Sequence, residues 1–113
     1  MKQVFYVPER GDVVLITLQA GQQRRTNGRR PAAVLSPQAY NGRVGLALLC
    51  PIVAELKGYP FEVRLPEGLP IPGAILADHP ASLDWRALRA ERLCTLPPDI
   101  QEEALGKLRT LLK

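Results

Sequence analysis

Apolar residues fall in short blocks separated by glycine, proline and asparagine, and most blocks have the length of a strand. "DVVLITL" (12–18) is rich in β-branched residues and predicts a strand. "RRPAAVLS" (29–36) predicts a second, with Pro31 near its start, where a missing N–H is tolerated. "VGLALLCPIVA" (44–54) is almost wholly apolar, the pattern of a central strand buried on both faces. "FEVRL" (61–65) alternates as a half-exposed strand does, and "AILAD" (74–78) predicts another short one. The segments between them read as turns. "QAGQQRRTNG" (19–28) is a polar loop, and "PEGLPIPG" (66–73) is a Pro/Gly loop. "PQAYNGR" (37–43) carries Asn-Gly, a strong hairpin signal. The stretch after Pro80 admits a strand at Ser82–Trp85, a short helix at Asp84–Ala90 and a last strand at Glu91–Leu96.

The period changes at the C-terminus. In "PPDIQEEALGKLRTLLK" (97–113), Ile100, Ala104, Leu105, Leu108, Leu111 and Leu112 fall on one helical stripe, expected to pack on the core. Two prolines and early acids open the segment, and bases close it, as the helix dipole favours. Five to seven short strands and a terminal helix predict a strongly bent antiparallel sheet or partial barrel.

Length and composition narrow the class. At 113 residues and 46% hydrophobic content, the chain suits one folded domain spanning 1–113. No apolar stretch reaches transmembrane length, and the N-terminus lacks a signal-peptide pattern. A cytoplasmic protein without membrane contact is expected. Cys50 and Cys94 have no metal-ligand spacing and read as buried reduced thiols. With one histidine and no Cys/His cluster, no metal or cofactor is expected.

Charge changes the picture more. The formal net charge is +4, and Arg24, Arg25, Arg29 and Arg30 together equal that excess. They stand within seven residues, with no acid among them, at the mouth of the second predicted strand. Clustered arginines beside Gly28 point to an anionic partner, because guanidinium forks phosphate oxygens and glycine admits close backbone approach.

Three motifs, in order, carry a resemblance: "GRRPAAVLSPQAYN", "KGYPFEVRLP" and "GAILADHPASLDWRA", with "YVPERGDVVLITL" ahead of them. The chain resembles the MazF/PemK (Kid) family, toxins of bacterial type II toxin–antitoxin systems. The resemblance runs nearly end to end. It implies a mainly β, SH3-like small barrel with a C-terminal α-helix, assembled as a homodimer. It also implies a sequence-specific, metal-independent endoribonuclease acting on single-stranded RNA or mRNA. A cognate antitoxin would neutralise it with an extended acidic segment. Relatives of this fold that poison gyrase lack the Arg-Pro signature found here.

The resemblance places the family's catalytic arginine at Arg30. An arginine is a poor base and a good phosphate clamp, so its expected role is stabilisation of phosphorane charge. After "CP" the family carries a hydroxyl pair; here Val53 and Ala54 stand there. The family's loop acid is replaced by a base at Arg25, and its later lysine by Ala81. His79, the sole histidine, stands in "LADH" at the border of the family's RNA groove, and an imidazole suits acid–base work. It is the second expected catalytic residue, set against a plain surface imidazole. Arg24, Arg25, Thr26, Gly28, Arg29, Lys57 and Tyr59 are the expected RNA contacts. For Tyr59, stacking on a base and packing within the fold are both open. Trp85 is expected in the core. A second reading, from a different class, is a catalytically weakened module that binds RNA or the antitoxin.

Overall fold

A computed structural model of the chain describes residues 6–17 and 28–112. It contains strands β1 (Asp12–Thr17), β2 (Arg29–Val34), β3 (Ala47–Val53), β4 (Glu62–Arg64), β5 (Ala74–Leu76), β6 (Ala81–Leu83) and β7 (Glu91–Thr95). Helix α1 (Gln38–Val44) lies between β2 and β3, and α2 (Pro98–Thr110) ends the fold. The strand order is β4-β5-β3-β2-β1-β7, with β6 also on β3. Every pairing is antiparallel. The expected mainly β barrel with a C-terminal helix is the fold observed, although β4 and β7 do not pair to close it. Helix α2 leaves β7 and packs against β4 instead.

The central strands are buried on both faces because the sheet is covered on both. Val13, Ala33, Cys50, Ile52, Val63 and Ile75 face one core, which Ile100, Ala104 and Leu108 of α2 complete. The alternate residues Val14, Ile16, Ala32, Val34 and Leu49 face a second core, sealed by Trp85. Trp85 is 3% exposed, as expected for a core residue, and its indole N–H donates to the Asn41 carbonyl at 3.0 Å. The helical stripe is only partly core: Leu111 and Leu112 are exposed. Cys94 is half-buried rather than buried, while Cys50 is fully buried.

Strand β3 makes the proline pattern intelligible. It pairs with β6 up to Leu49 and with β5 from Ile52. Pro51 sits at the changeover, where a residue without an N–H interrupts neither ladder on that side.

Two local expectations are corrected. The Asn-Gly pair does not turn a hairpin; residues 38–44 form α1, capped by Gly45 at φ +86°. The reason is tertiary. Asn41 is fully buried and donates from its amide to the carbonyls of Pro8 (2.8 Å) and Ser36 (3.1 Å). It accepts from the Ser36 hydroxyl at 2.6 Å, and that hydroxyl accepts the Leu48 N–H. The second correction is at Asp84–Ala90, which forms consecutive turns rather than a helix. The Asp84 carboxylate accepts the N–H groups of Arg86 and Ala87, and Arg89 at φ +55° reverses the chain after one turn.

Candidate active site

Strand alternation decides what the outer sheet face carries. Ile52, Val63 and Ile75 point toward α2, so their neighbours Val53, Glu62 and Leu76 point away from it. The β2–β3 pairing runs from Val34↔Leu49 to Ala32↔Pro51. Two residues further along each strand lie Arg30 and Val53. Both lie past the last β2–β3 pair, where β3 has already passed into its ladder with β5, and alternation puts each on the same side of its own strand as Ala32 and Pro51. Across β1, Arg30 pairs with Ile16.

Beside Val53 opens a cleft of about 460 Å³, lined by Val53, Glu55, Lys57, Tyr59, Glu62, Leu76, Asp78 and His79. It brings together three of the residues expected from sequence: Lys57, Tyr59 and His79. Its walls come from the end of β3, the following turn, β4, and the end of β5. Gly73 keeps the β3–β5 packing close: a Cβ there would lie 2.0 Å from the Val53 carbonyl oxygen.

The turn bearing Lys57 and Tyr59 is held by Glu62. Its carboxylate, in a residue 8% exposed, accepts the backbone N–H groups of Lys57 and Gly58, each at 2.8 Å. Gly58 has φ +83°, a conformation that favours glycine. The Lys107 ammonium of α2 donates to the Glu62 carbonyl at 2.8 Å, tying the helix to the cleft wall.

At the opposite wall the Tyr59 hydroxyl donates to Asp78 Oδ1 at 2.8 Å. That hydrogen bond, then burial and the nearby Asp78 and Glu62 charges, push the phenol up to about 12. The shift is upward, so its contribution to stability is complete below the ordinary phenol range and disappears as pH rises through about 12. His79 is exposed, and its Nε2 lies 3.6 Å from the same Asp78 oxygen. The buried Cys50 thiol is also pushed up to about 12, chiefly by burial and secondarily by Asp78. It is a packing group rather than a nucleophile.

Other expected residues stand apart from the cleft. Arg29 forms an exposed ion pair with Glu91 of β7, a contact that anionic ligands can replace because such pairs contribute little. Gly28 precedes β2 at φ +81°. Arg24, Arg25 and Thr26 lie outside the described residues. Among the described residues no group of three His, Cys, Asp or Glu side chains is placed to hold a metal ion. No helix among them is long and apolar enough to cross a membrane.

Sequence reasoning missed Glu55, Glu62 and Asp78. Asp78 had a usable signal, since it adjoins the only histidine. Glu62 had none, because its two backbone partners are set by the shape of the turn.

The fold and this face define a small SH3-like barrel whose polar site lies opposite its helix. Residues 9–112 match the family described as PemK-like, MazF-like toxin of type II toxin-antitoxin system. The chain belongs to this family. It is 37% identical over 107 residues to the endoribonuclease toxin MazF of Escherichia coli K12, covering 95% of this chain and 96% of that protein. It is 31% identical over 110 residues to the endoribonuclease PemK of Escherichia coli, covering 92% and 81% of the two chains. Among solved structures, a chain in the crystal structure of MazE-MazF (Form-II) from Deinococcus radiodurans superposes with a TM-score of 0.86. That chain is 51% identical, with 96% of this chain and 97% of that one covered.

Proposed function

We propose that this toxin cuts single-stranded RNA on the outer sheet face, with the scissile phosphate held at Arg30 and the adjoining nucleotide in the Val53–His79 cleft. Membership of the toxin family and similarity to MazF and PemK make the chain an endoribonuclease toxin. The observation that supports this placement is that β2, which carries Arg30, pairs with β3, whose last residue Val53 lines the cleft.

The chemistry follows from RNA itself. The 2′-oxygen attacks the adjacent phosphorus, the bond to the 5′-oxygen breaks, and a 2′,3′-cyclic phosphate and a 5′-hydroxyl result. One proton leaves the 2′-hydroxyl and one joins the departing oxygen. Negative charge grows on the phosphoryl oxygens, where the Arg30 guanidinium supplies paired donors. His79 is the group in the cleft whose chemistry suits proton transfer near neutrality. Tyr59 offers a ring for base stacking, and Lys57 a cation for phosphate. Arg24, Arg25, Thr26, Gly28 and Arg29 would extend the phosphate path at the mouth of β2. No step calls for a metal, so cleavage should persist in EDTA.

Val53 supplies no hydroxyl to this face. Val53→Thr adds a hydroxyl donor to the cleft, and cleavage should rise severalfold when measured on a fixed RNA substrate. An inactive wild type together with an active Val53→Thr would favour the weakened-module reading, which the similarity to endoribonucleases does not favour. An unchanged rate would show that another group already serves the phosphate.

The partners follow the same reading. An antitoxin with an extended acidic segment suits the arginine-bearing face, and the cytoplasm is where RNA and antitoxin meet. A homodimer is expected, but not from Ala47, Leu49, Cys50 and Ile52 of β3, whose side chains enter the two cores of one chain. The exposed Leu111 and Leu112 at the end of α2 are the better candidates for its surface. Sedimentation at micromolar concentration should give a dimer; a clean monomer would refute it.

A further inference from the structure

The cleft holds two groups with protons to exchange, a phenol and an imidazole, and one carboxylate touches both. Asp78 Oδ1 accepts the Tyr59 hydroxyl at 2.8 Å and lies 3.6 Å from His79 Nε2. The carboxylate stands on a fixed base. The Ala77 N–H bonds to the Phe61 carbonyl at 3.0 Å, and the His79 N–H bonds to the Leu76 carbonyl at 3.1 Å. Those two bonds bracket Asp78 in a tight turn leaving β5. Tyr59 is held at both ends, by Glu62 through the turn that carries it and by Asp78 at its hydroxyl.

We infer that Asp78 is the positioning residue of this cleft, committing Tyr59 to a neutral structural role and leaving His79 as the proton-transfer group. The inference rests on the ribonuclease reading above and adds a division of labour to it. The Tyr59 proton points to Asp78, so the hydroxyl has no proton directed at substrate. A phenol that ionises only near 12 stays neutral at working pH and is a poor general acid. What remains to it is its ring. For His79 the same carboxylate acts by its place. Its oxygen stands 3.6 Å from Nε2 and so faces one ring nitrogen from a fixed position. The other charged groups of the cleft do not duplicate this. Both Glu62 oxygens are engaged by backbone N–H groups. Glu55 and Lys57 line the cleft and bear opposite charges.

The test uses Asp78→Asn, which keeps shape and a carbonyl oxygen for the Tyr59 hydroxyl but removes the charge. kcat and KM for a short single-stranded RNA are measured across pH for wild type, Asp78→Asn, His79→Ala and the double variant. His79→Ala should lower kcat by about 100-fold, the low end of general acid–base contributions, and erase the near-neutral limb of the profile. Asp78→Asn should lower kcat by roughly tenfold and leave KM nearly unchanged. In the His79→Ala background, Asp78→Asn should add little. A second readout needs no activity. In an alkaline titration of tyrosine absorbance, one phenol should ionise closer to its ordinary value of 10 in Asp78→Asn than in wild type.

Additive losses in the double variant would overturn the inference, as would His79→Ala cleaving like wild type. The latter leaves Arg30-dependent cleavage standing. If wild type cleaves no RNA, the ribonuclease reading fails instead. The phenol titration then decides the positioning claim by itself, and an unchanged titration rejects it.

Discussion

Arg30→Ala is expected to lower the rate of RNA cleavage by a hundred- to thousandfold, about 2.7–4 kcal/mol of transition-state stabilisation. The loss should fall on kcat more than on KM. The phosphate bears negative charge before reaction, but the phosphorane bears more, so a guanidinium aimed there gains most in the transition state. Arg30→Lys should recover only part of the rate, because an ammonium cannot reproduce a planar pair of donors. The flanking arginines should behave differently. Arg24→Ala with Arg25→Ala should weaken RNA binding across all sequences and reduce the salt slope by about 1 to 2 units, with little effect on kcat. Single-turnover cleavage in EDTA, run over a range of RNA and salt concentrations, separates these effects. An Arg30→Ala protein with wild-type kcat and a raised KM would make Arg30 a binding residue and move the chemistry elsewhere.

The second large effect is on stability and lies away from the cleft. Asn41→Leu should destabilise the fold by about 3 kcal/mol, since buried groups left unsatisfied cost about 1–3 kcal/mol each. The substitution keeps most of the volume but removes the amide that serves the Pro8 and Ser36 carbonyls and the acceptor for the Ser36 hydroxyl. Ser36 in turn accepts the Leu48 N–H at the entry to β3. Urea unfolding should show a lower midpoint with an unchanged slope. A loss under about 1 kcal/mol would mean that water or local rearrangement replaces the network. The Asn41 backbone carbonyl remains, so the Trp85 indole keeps its partner and the second core should stay closed.

Local sequence physics determined the elements whose signal is carried by their own residues. β-Branched runs made β1 and β2, and an unbroken apolar run made β3, because a strand covered on both faces has no polar side to alternate with. The 3.6-residue stripe, opening prolines and graded charge made α2. The same local reading found the cluster of arginines, since charge density and neighbouring glycine are sequence properties. Lys57, Tyr59 and His79 were also legible as candidates, through the resemblance and their residue chemistry. That they share one cleft was not legible, because the β3–β5 and β4–β5 pairings bring together residues 10 to 23 positions apart.

Tertiary structure decided whatever depended on a distant partner. Asn41-Gly42 has the local chemistry of a hairpin turn, yet buried hydrogen bonds to Pro8 and Ser36 outweigh that preference and make it part of a helix. Leu111 and Leu112 continue the periodicity of α2 but lie past the sheet it covers, so periodicity assigned them to a core that ends at Leu108. Glu62 reads as the polar half of an alternating strand, and only the turn folded over it makes it a buried acceptor. Asp78 reads as a strand-end acid; the tyrosine nineteen residues away gives its carboxylate a role. Periodicity and charge are short-range properties that a chain displays in order. A site is a set of distances between segments, and those distances exist only once the sheet has fixed its register.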